Sequence, residues 1–124
     1  MILNELKYKY KNLDGIPVEK NATEVINLIK KTILKHITPK YIYLFGSFAY
    51  GNPKDKSDID IYVVLPDDIN DDTELYVKIM MDLRDEGIYF VDLLFASESV
   101  FNRRKIENIL EETIYLKGLL LYEN

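Results

Sequence analysis

Two aspartates separated by one residue begin an apolar segment in the middle of the chain, in the order Asp58, Ile59, Asp60, Ile61. If this segment is a strand, Asp58 and Asp60 share one face of it, because side chains two residues apart point the same way. Two such carboxylates repel each other unless a cation or a proton lies between them. Hard oxygen ligands of this kind suit Mg²⁺, which proteins bind through one or two carboxylates together with substrate phosphates.

A third aspartate, Asp92, interrupts the apolar segment 88–95, which has no other charged residue. An ionised side chain in a buried strand is costly, so this position needs either a ligand or a hydrogen-bond partner. If strand 88–95 lies beside strand 58–65, Asp92 reaches the face that carries the other two. Three convergent carboxylates can hold two metal ions, which stabilise the attacking and leaving oxygens of a phosphoryl transfer. For Asp92 alone, a bond to a neighbouring backbone N–H explains the sequence equally well.

A glycine turn, Gly46-Ser47, follows the β-branched and aromatic segment 41–45. Such a turn allows backbone N–H groups and a hydroxyl to approach phosphate oxygens closely. An ordinary tight turn remains the simpler explanation when the pair is considered alone. Together with the three aspartates, however, the turn predicts that phosphate and metal meet at one place. The Walker phosphate loop is excluded because Asn52 and Pro53 follow Gly51, where that motif requires lysine.

The elements that would position these groups follow from hydrophobic periodicity and from helix- and strand-ending residues. The predicted order is helix 21–36, strand 41–45, loop 46–57, strand 58–65, helix about 72–86, strand 88–95, a helix from Ser97 or Ser99 to Gly118, and a short strand 119–123. Asn21 or Thr23 would cap the first helix. This order predicts an α/β (α+β) fold, a small mixed β-sheet flanked by helices, in a single domain 1–124. Residues 1–20 would form either an edge strand or an N-terminal arm.

The overall charge and composition exclude several classes of partner and of chemistry. The chain of 124 residues has a formal net charge of -5, which argues against sequence-independent binding of DNA or RNA. It has no cysteine, which excludes disulfides and thiolate catalysis. No apolar run approaches the ~20 residues that span a bilayer, so we expect a cytoplasmic protein without membrane contact. His36 would lie near a helix C-terminus, where a cation is favourable.

These residues resemble the motif of the minimal nucleotidyltransferases of the DNA polymerase β superfamily. That motif is a hydrophobic residue, Gly-Ser or Gly-Gly, a spacer, two aspartates around one hydrophobic residue, and a third carboxylate on a later strand. The matching positions are Phe45, Gly46-Ser47, a spacer of ten residues, Asp58 to Ile61, and Asp92; a longer form of the motif also matches Ala49, Gly51 and Ser57. The resemblance covers about residues 22–120.

The resemblance implies a nucleotidyltransferase fold and a Mg²⁺-dependent reaction that releases pyrophosphate from a nucleoside triphosphate. Asp58 and Asp60 would bind two Mg²⁺ ions. Asp92 would complete the metal site and help activate the hydroxyl that attacks the nucleotide. All three would therefore be both metal ligands and catalytic residues.

The resemblance also assigns the nucleotide-binding residues. Gly46 and Ser47 would hold the β- and γ-phosphates, and Ser57 would complete this set. One departure concerns the same turn, because many members of the superfamily have arginine or lysine at the positions of Phe48 and Tyr50. Without those cations the turn itself is expected to bind a triphosphate less strongly; Lys54 and Lys56 of the same loop would be the alternative source of positive charge, or simply solvated lysines.

Short stand-alone members resemble antitoxins, whose partner is an all-helical, RNase-like toxin encoded nearby. The predicted function is therefore transfer of AMP from ATP to a tyrosine of such a toxin, since the chain has no separate domain to bind an acceptor. One alternative is transfer to a small hydroxyl compound such as an aminoglycoside. Another is a non-catalytic antitoxin that acts by contact alone. The sequence does not decide whether the chain forms a homo-oligomer.

Overall fold

The computed structural model describes residues 7–11, 14–51, 53, 58–69 and 73–124. These ranges contain six strands and five helices. In chain order they are β1 (Lys7–Lys11), β2 (Pro17–Asn21), α1 (Ala22–His36), β3 (Tyr41–Phe45), α2 (Ser47–Tyr50), β4 (Ile59–Leu65), α3 (Thr73–Asp85), β5 (Val91–Ser97), α4 (Glu98–Arg104), α5 (Ile109–Lys117) and β6 (Leu119–Glu123). No helix within these ranges is both long and apolar enough to cross a membrane.

Four strands form a mixed central sheet in the order β5-β4-β3-β6. Strands β4 and β5 are parallel, and β3 is antiparallel to both of its neighbours. One end of the sheet therefore contains the end of β3 and the starts of β4, β5 and β6. Because helices cover the mixed sheet, the predicted fold class is confirmed.

Helices cover both faces of the sheet. On one face, α1 and α3 pack against alternate residues of the strands, with Ile29, Ile33 and Ile79 inaccessible to solvent. On the other face, α4 and α5 contribute Phe101 and Ile114 to a smaller cluster. The members of this smaller cluster are Tyr43, Tyr62, Val64, Phe101 and Ile114. Strand β4 is thus buried on both sides over most of its length, which fixes its position firmly.

The predicted helix caps agree with the structure. The Asn21 side chain accepts hydrogen bonds from the backbone N–H groups of Thr23 and Glu24, at 2.9 and 3.4 Å. Ser97 caps α4 by accepting from the N–H of Val100 at 3.3 Å. At the other end of α1, Nε2 of His36 lies 2.6 Å from Oδ2 of Asp82, so this histidine connects α1 to α3.

Three predicted elements differ from the structure. Loop 46–57 contains the short helix α2, and β5 begins at Val91 instead of residue 88. The helix predicted up to Gly118 is two helices. At 3.6 residues per turn, Phe101 and Ile114 would lie about 140° apart around one continuous helix. The break between α4 and α5 allows both side chains to pack on the same cluster.

The N-terminal part of the described chain contains two paired strands. Strands β1 and β2 form a two-stranded antiparallel sheet that is separate from the central sheet. Within the described residues, its last strand leads directly into the cap of α1 at Asn21.

One carboxylate is buried under α5. The side chain of Glu111 is almost fully buried, and its Oε2 has no hydrogen-bond partner among the described residues. Its Oε1 lies 3.9 Å from Nη1 of Arg104, at the outer limit of an ion pair. Burial, followed by the charge of Glu111, raises the pKa of Tyr62 to about 12. The layer formed by α4 and α5 therefore contains an incompletely satisfied charge.

Candidate active site

The parallel pairing of β4 with β5 places Asp60 directly beside Asp92. The two residues are Cα partners in the register, so their side chains project from the same face of the sheet. Asp58 lies just before β4 and is exposed. The conditional prediction that β5 lies beside β4 is therefore correct, and Asp60 and Asp92 come together although 32 positions separate them in the sequence.

The environment of Asp92 differs from the sequence-based expectation. Asp92 and Leu94 are exposed, whereas Val91 and Leu93 on the opposite face are buried. Among the described strands, β5 forms one edge of the central sheet, and the helices leave Asp92 and Leu94 accessible to solvent. Exposure removes the cost of burying the charge and leaves Asp92 accessible to a substrate.

Asp60 has the strongest electrostatic perturbation in the site. Burial, the charges of Asp92 and Asp58, and a hydrogen bond to the side chain of Asp92 together raise the pKa of Asp60 to about 6. A carboxyl with a raised pKa holds its proton because its neighbours disfavour a second negative charge. A bound cation would relieve the same repulsion.

Gly46 lies against this carboxylate. Its φ of 72° and ψ of -159° fall in a region that is essentially restricted to glycine. A Cβ at this position would overlap Oδ2 of Asp60 and lie 2.9 Å from its Cγ. The contact arises because Phe45, the preceding residue, is the register partner of Asp60. Glycine is therefore required both by the backbone conformation and by the space that Asp60 occupies.

The short helix α2 starts at Ser47 and lies beside the acidic residues. The N–H of Gly51 donates to the carbonyl of Ser47 at 3.0 Å, and Gly51 ends the helix in a left-handed conformation, with φ of 102°. Gly46 thus adjoins Asp60, and Ser47 follows it as the first residue of α2. Ser57, the remaining predicted nucleotide-binding residue, lies outside the described residues.

One contact in this site is not predicted by the sequence. The backbone N–H of Tyr50 donates to the carbonyl of Gly46 at 3.0 Å. Burial raises the pKa of Tyr50, the nearby backbone of Gly46 lowers it, and the charge of Asp60 raises it. The available signal is the spacing of four residues between Gly46 and Tyr50, which becomes a contact only if the intervening segment is helical.

The acidic residues offer carboxylate oxygens, the type of donor atom that a divalent cation such as Mg²⁺ prefers. Within the described part of the chain, no three Asp, Glu, His or Cys side chains are already arranged to hold a metal ion. Asp60 and Asp92 nevertheless project from the same face of the sheet as register partners, and a cation between them would relieve the repulsion that helps to raise the pKa of Asp60. Carboxylate oxygens from two adjacent strands, supplemented by phosphate oxygens, match the usual coordination of Mg²⁺. The donor set therefore fits this ion.

Comparison with known proteins identifies the family. Residues 27–124 match the family described as polymerase beta, nucleotidyltransferase. The chain belongs to this family. The assignment confirms both the resemblance seen in the sequence and the prediction that the protein is an enzyme, a nucleotidyltransferase.

The nucleotidyltransferase also resembles individual proteins. A protein of Methanocaldococcus jannaschii, provisionally named a protein adenylyltransferase, is 32% identical over 104 residues, which are 84% of this chain and 97% of that protein. A chain from a crystal structure of a toxin–antitoxin with AMP-PNP is 25% identical, with a TM-score of 0.55, covering 79% of this chain and 73% of that chain.

A third similarity concerns the fold alone. This chain is also similar to a chain from the structure of a tri-AMPylated HEPN toxin of Shewanella oneidensis in complex with an MNT antitoxin. The TM-score is 0.50 and the identity 23%, over 82% of this chain and 72% of that chain. The nucleotidyltransferase therefore has the same fold as proteins solved within toxin–antitoxin complexes.

Proposed function

We propose that this nucleotidyltransferase transfers AMP from ATP to a tyrosine hydroxyl of a partner protein, with Mg²⁺ as cofactor, and thereby acts as an antitoxin. The register of Asp60 with Asp92, beside Gly46, is the observation that carries the proposal. The name of the Methanocaldococcus jannaschii relative supports protein adenylylation. The AMP-PNP of the similar toxin–antitoxin structure supports ATP as the donor and a toxin as the partner.

The three aspartates would divide the metal-binding and proton-transfer roles. Asp58, Asp60 and Asp92 would hold the Mg²⁺ ions, which neutralise phosphate charge and increase the electrophilicity of the α-phosphorus. Asp92, which is exposed on the edge strand, can reach an incoming hydroxyl and accept its proton. The hydroxyl oxygen then forms a bond to the α-phosphorus as the bond to the leaving pyrophosphate breaks.

The turn at Gly46 would position the leaving group. Its backbone N–H and that of Ser47 can donate to phosphate oxygens, because the first N–H groups of a helix have no partner within the helix. The absence of a Gly46 side chain allows the phosphates to lie close to the Asp60 carboxylate. Phosphate and metal would thus meet between α2 and the start of β4.

Exposed apolar side chains at the same end of the sheet favour a protein acceptor. Leu119 pairs with Leu44 next to the end of β3, so the start of β6 lies near the turn at Gly46. Leu116, Leu119 and Leu120 are 66, 41 and 48% exposed. Large apolar side chains grouped near a site commonly mark a protein-binding surface. A small hydrophilic acceptor such as an aminoglycoside has no need of this surface.

The test uses ATP labelled at the α-phosphate, the purified chain, Mg²⁺ and the product of the neighbouring gene. We expect the label on the partner, at a tyrosine identified by mass spectrometry, and no label with the Asp58→Ala/Asp60→Ala variant. A matched Asp68→Ala/Asp85→Ala variant alters two exposed aspartates outside the site and should retain transfer. Inhibition of the partner without any label, by the wild type and the site variant alike, would contradict the proposal and leave an antitoxin that acts by contact.

A further inference from the structure

Leu94 is an exposed apolar side chain next to the candidate active site. It is 40% exposed and follows Asp92 by two residues on β5, so both side chains project from the same face of the sheet. The two positions are roughly 7 Å apart along the strand. Further along the same face, Ala96 packs against the cluster that contains Phe101 and Ile114. Leu94 therefore lies between the acidic pair and the part of the sheet that the helices cover.

The two sides of the acidic pair differ in the space that they leave for an acceptor. On the inner side, the backbone of Gly46 lies so close to Asp60 that a Cβ there would overlap the carboxylate. On the outer side, β5 has no further strand beside it among the described strands, and Asp92 is exposed. A tyrosine in a partner protein brings the rest of its chain with it. Such an acceptor therefore approaches over β5, on the face that carries Leu94.

The spacing of Asp92 and Leu94 matches the length of a tyrosine side chain. When the phenol oxygen is at the Asp92 carboxylate, the ring can extend along β5 over the roughly 7 Å between the two positions. The apolar part of the tyrosine then lies against Leu94. In serine and threonine the hydroxyl is attached directly to Cβ, so these acceptors would bring their polar backbone to Leu94 instead. Contact with Leu94 therefore favours a phenolic acceptor over an aliphatic one.

We infer that Leu94 is a specificity-determining residue, which holds the ring of the acceptor tyrosine while Asp92 receives the hydroxyl. The inference rests on the proposed function, because it takes Asp92 to lie at the attacking oxygen. It supplies a reason for the choice of tyrosine that the aspartates alone do not, since a carboxylate can accept a proton from any hydroxyl. An apolar contact on the acceptor side changes the use of the acceptor and leaves the binding of the nucleotide unaffected.

The experiment measures the kinetics of AMP transfer from labelled ATP to the product of the neighbouring gene, with Mg²⁺. Leu94→Ala should lower kcat/KM for the partner about tenfold, because apolar contact with the acceptor is lost, and should leave KM for ATP unchanged. Leu94→Met, which has a similar volume, should retain most of the activity. The matched control is Val77→Ala, since Val77 is 44% exposed on α3, which packs on the other face of the sheet. This variant should behave like the wild type.

A second measurement separates contact with the ring from a general contribution to partner binding. The tyrosine that becomes labelled is replaced by alanine in the partner, and calorimetric titration gives the affinity of wild type and Leu94→Ala for both forms of the partner. Leu94→Ala should weaken binding of the intact partner about three- to tenfold and binding of the altered partner much less, because both changes remove the same contact. Equal weakening for both forms would overturn the inference.

Other results distinguish failure of the inference from failure of the proposed function. Unchanged kcat/KM for the partner in Leu94→Ala would overturn the inference alone. A higher KM for ATP would also overturn it, since Leu94 would then contact the nucleoside. Urea unfolding tests whether Leu94→Ala is folded, and Leu94→Gln, which is similar in size but polar, should show the same loss of transfer in a second folded variant. Absence of transfer by the wild type would reject the proposed function together with the inference.

Discussion

Gly46 is subject to two constraints that can be separated experimentally. Its backbone requires a positive φ, and its missing Cβ leaves space for the Asp60 carboxylate. Gly15 shares the first constraint, with φ of 75°, but no atom lies within 4 Å of the position that its Cβ would take. The two glycines therefore form a matched pair in which only Gly46 adjoins the candidate active site.

We expect Gly46→Ala to abolish AMP transfer, because the added methyl group displaces Asp60. Gly15→Ala should retain transfer and lose only about 1 kcal/mol of unfolding free energy from the strained backbone. The measurements are label transfer to the partner and urea unfolding of both variants. Wild-type transfer by Gly46→Ala would show that the position of Asp60 does not matter for the reaction.

Asp60 should also make the stability of the metal-free protein depend on pH. Its carboxyl has an ordinary pKa of 3.8 and a pKa of about 6 in the folded chain, so the folded state binds the proton more tightly. Stability is then greatest below pH 3.8 and decreases as the pH rises to about 6, where the folded carboxyl ionises. Because the carboxyl is partly exposed, solvent screening limits the total effect to about 1 kcal/mol.

This dependence can be measured as the difference in unfolding free energy between wild type and Asp60→Asn from about pH 4 to 8, a range that covers the titration, in the presence of a chelator. As the pH rises to about 6, the wild type should lose unfolding free energy relative to Asp60→Asn. Above that pH, the difference between the two proteins should be constant. Titrations of other groups cancel in the subtraction when the two proteins share them. A difference that is independent of pH would show that Asp60 titrates normally.

At the level of the elements, the layer of α4 and α5 contains a charge that the fold does not fully satisfy. Glu111 is buried, its Oε2 has no partner among the described residues, and Arg104 is distant and half exposed. We expect Glu111→Met to increase the unfolding free energy by about 1 kcal/mol, since an apolar side chain of similar size removes the desolvation cost. Arg104 can then be hydrated.

The control for this change is Glu112→Met, one residue further along α5, where the side chain is exposed. That variant should alter the unfolding free energy by no more than about 0.5 kcal/mol. Chemical denaturation of the two variants and the wild type provides the comparison. A loss of stability in Glu111→Met would indicate that the carboxylate is satisfied by solvent or by Arg104 in solution.

The elements also show which features the sequence can predict. Strand β3 is predicted with its observed bounds, since aromatic and β-branched residues precede a glycine, and the Asn21 cap follows from a local side-chain preference. The division between α4 and α5 has a weaker signal: Asn108 is the N-cap residue of α5, but its side chain makes no cap hydrogen bond, and neither glycine nor proline lies between Phe101 and Ile114. It results from tertiary packing of both residues on one cluster.

At the level of the whole molecule, the candidate site is only partly predictable. The pattern of Gly46, Asp60 and Asp92 indicates the chemistry, and spacing by two places Asp58 and Asp60 on one face. The exposure of Asp92 depends on the position of β5 at the edge of the sheet, which the order of elements does not determine. The contact of Tyr50 with Gly46 depends on the helical conformation of a segment predicted to be a loop.

Because β5 lies at the edge of the sheet, local unfolding of this strand alone would disrupt the candidate site. Asp60 belongs to an inner strand that is buried on both sides, whereas Asp92 belongs to an outer strand with one sheet neighbour among the described strands. Outer strands detach in partial opening events that cost less free energy than global unfolding. Such an event would separate the two carboxylates while the rest of the sheet remained folded. The candidate site would then persist only while a single strand, β5, stays attached to the sheet.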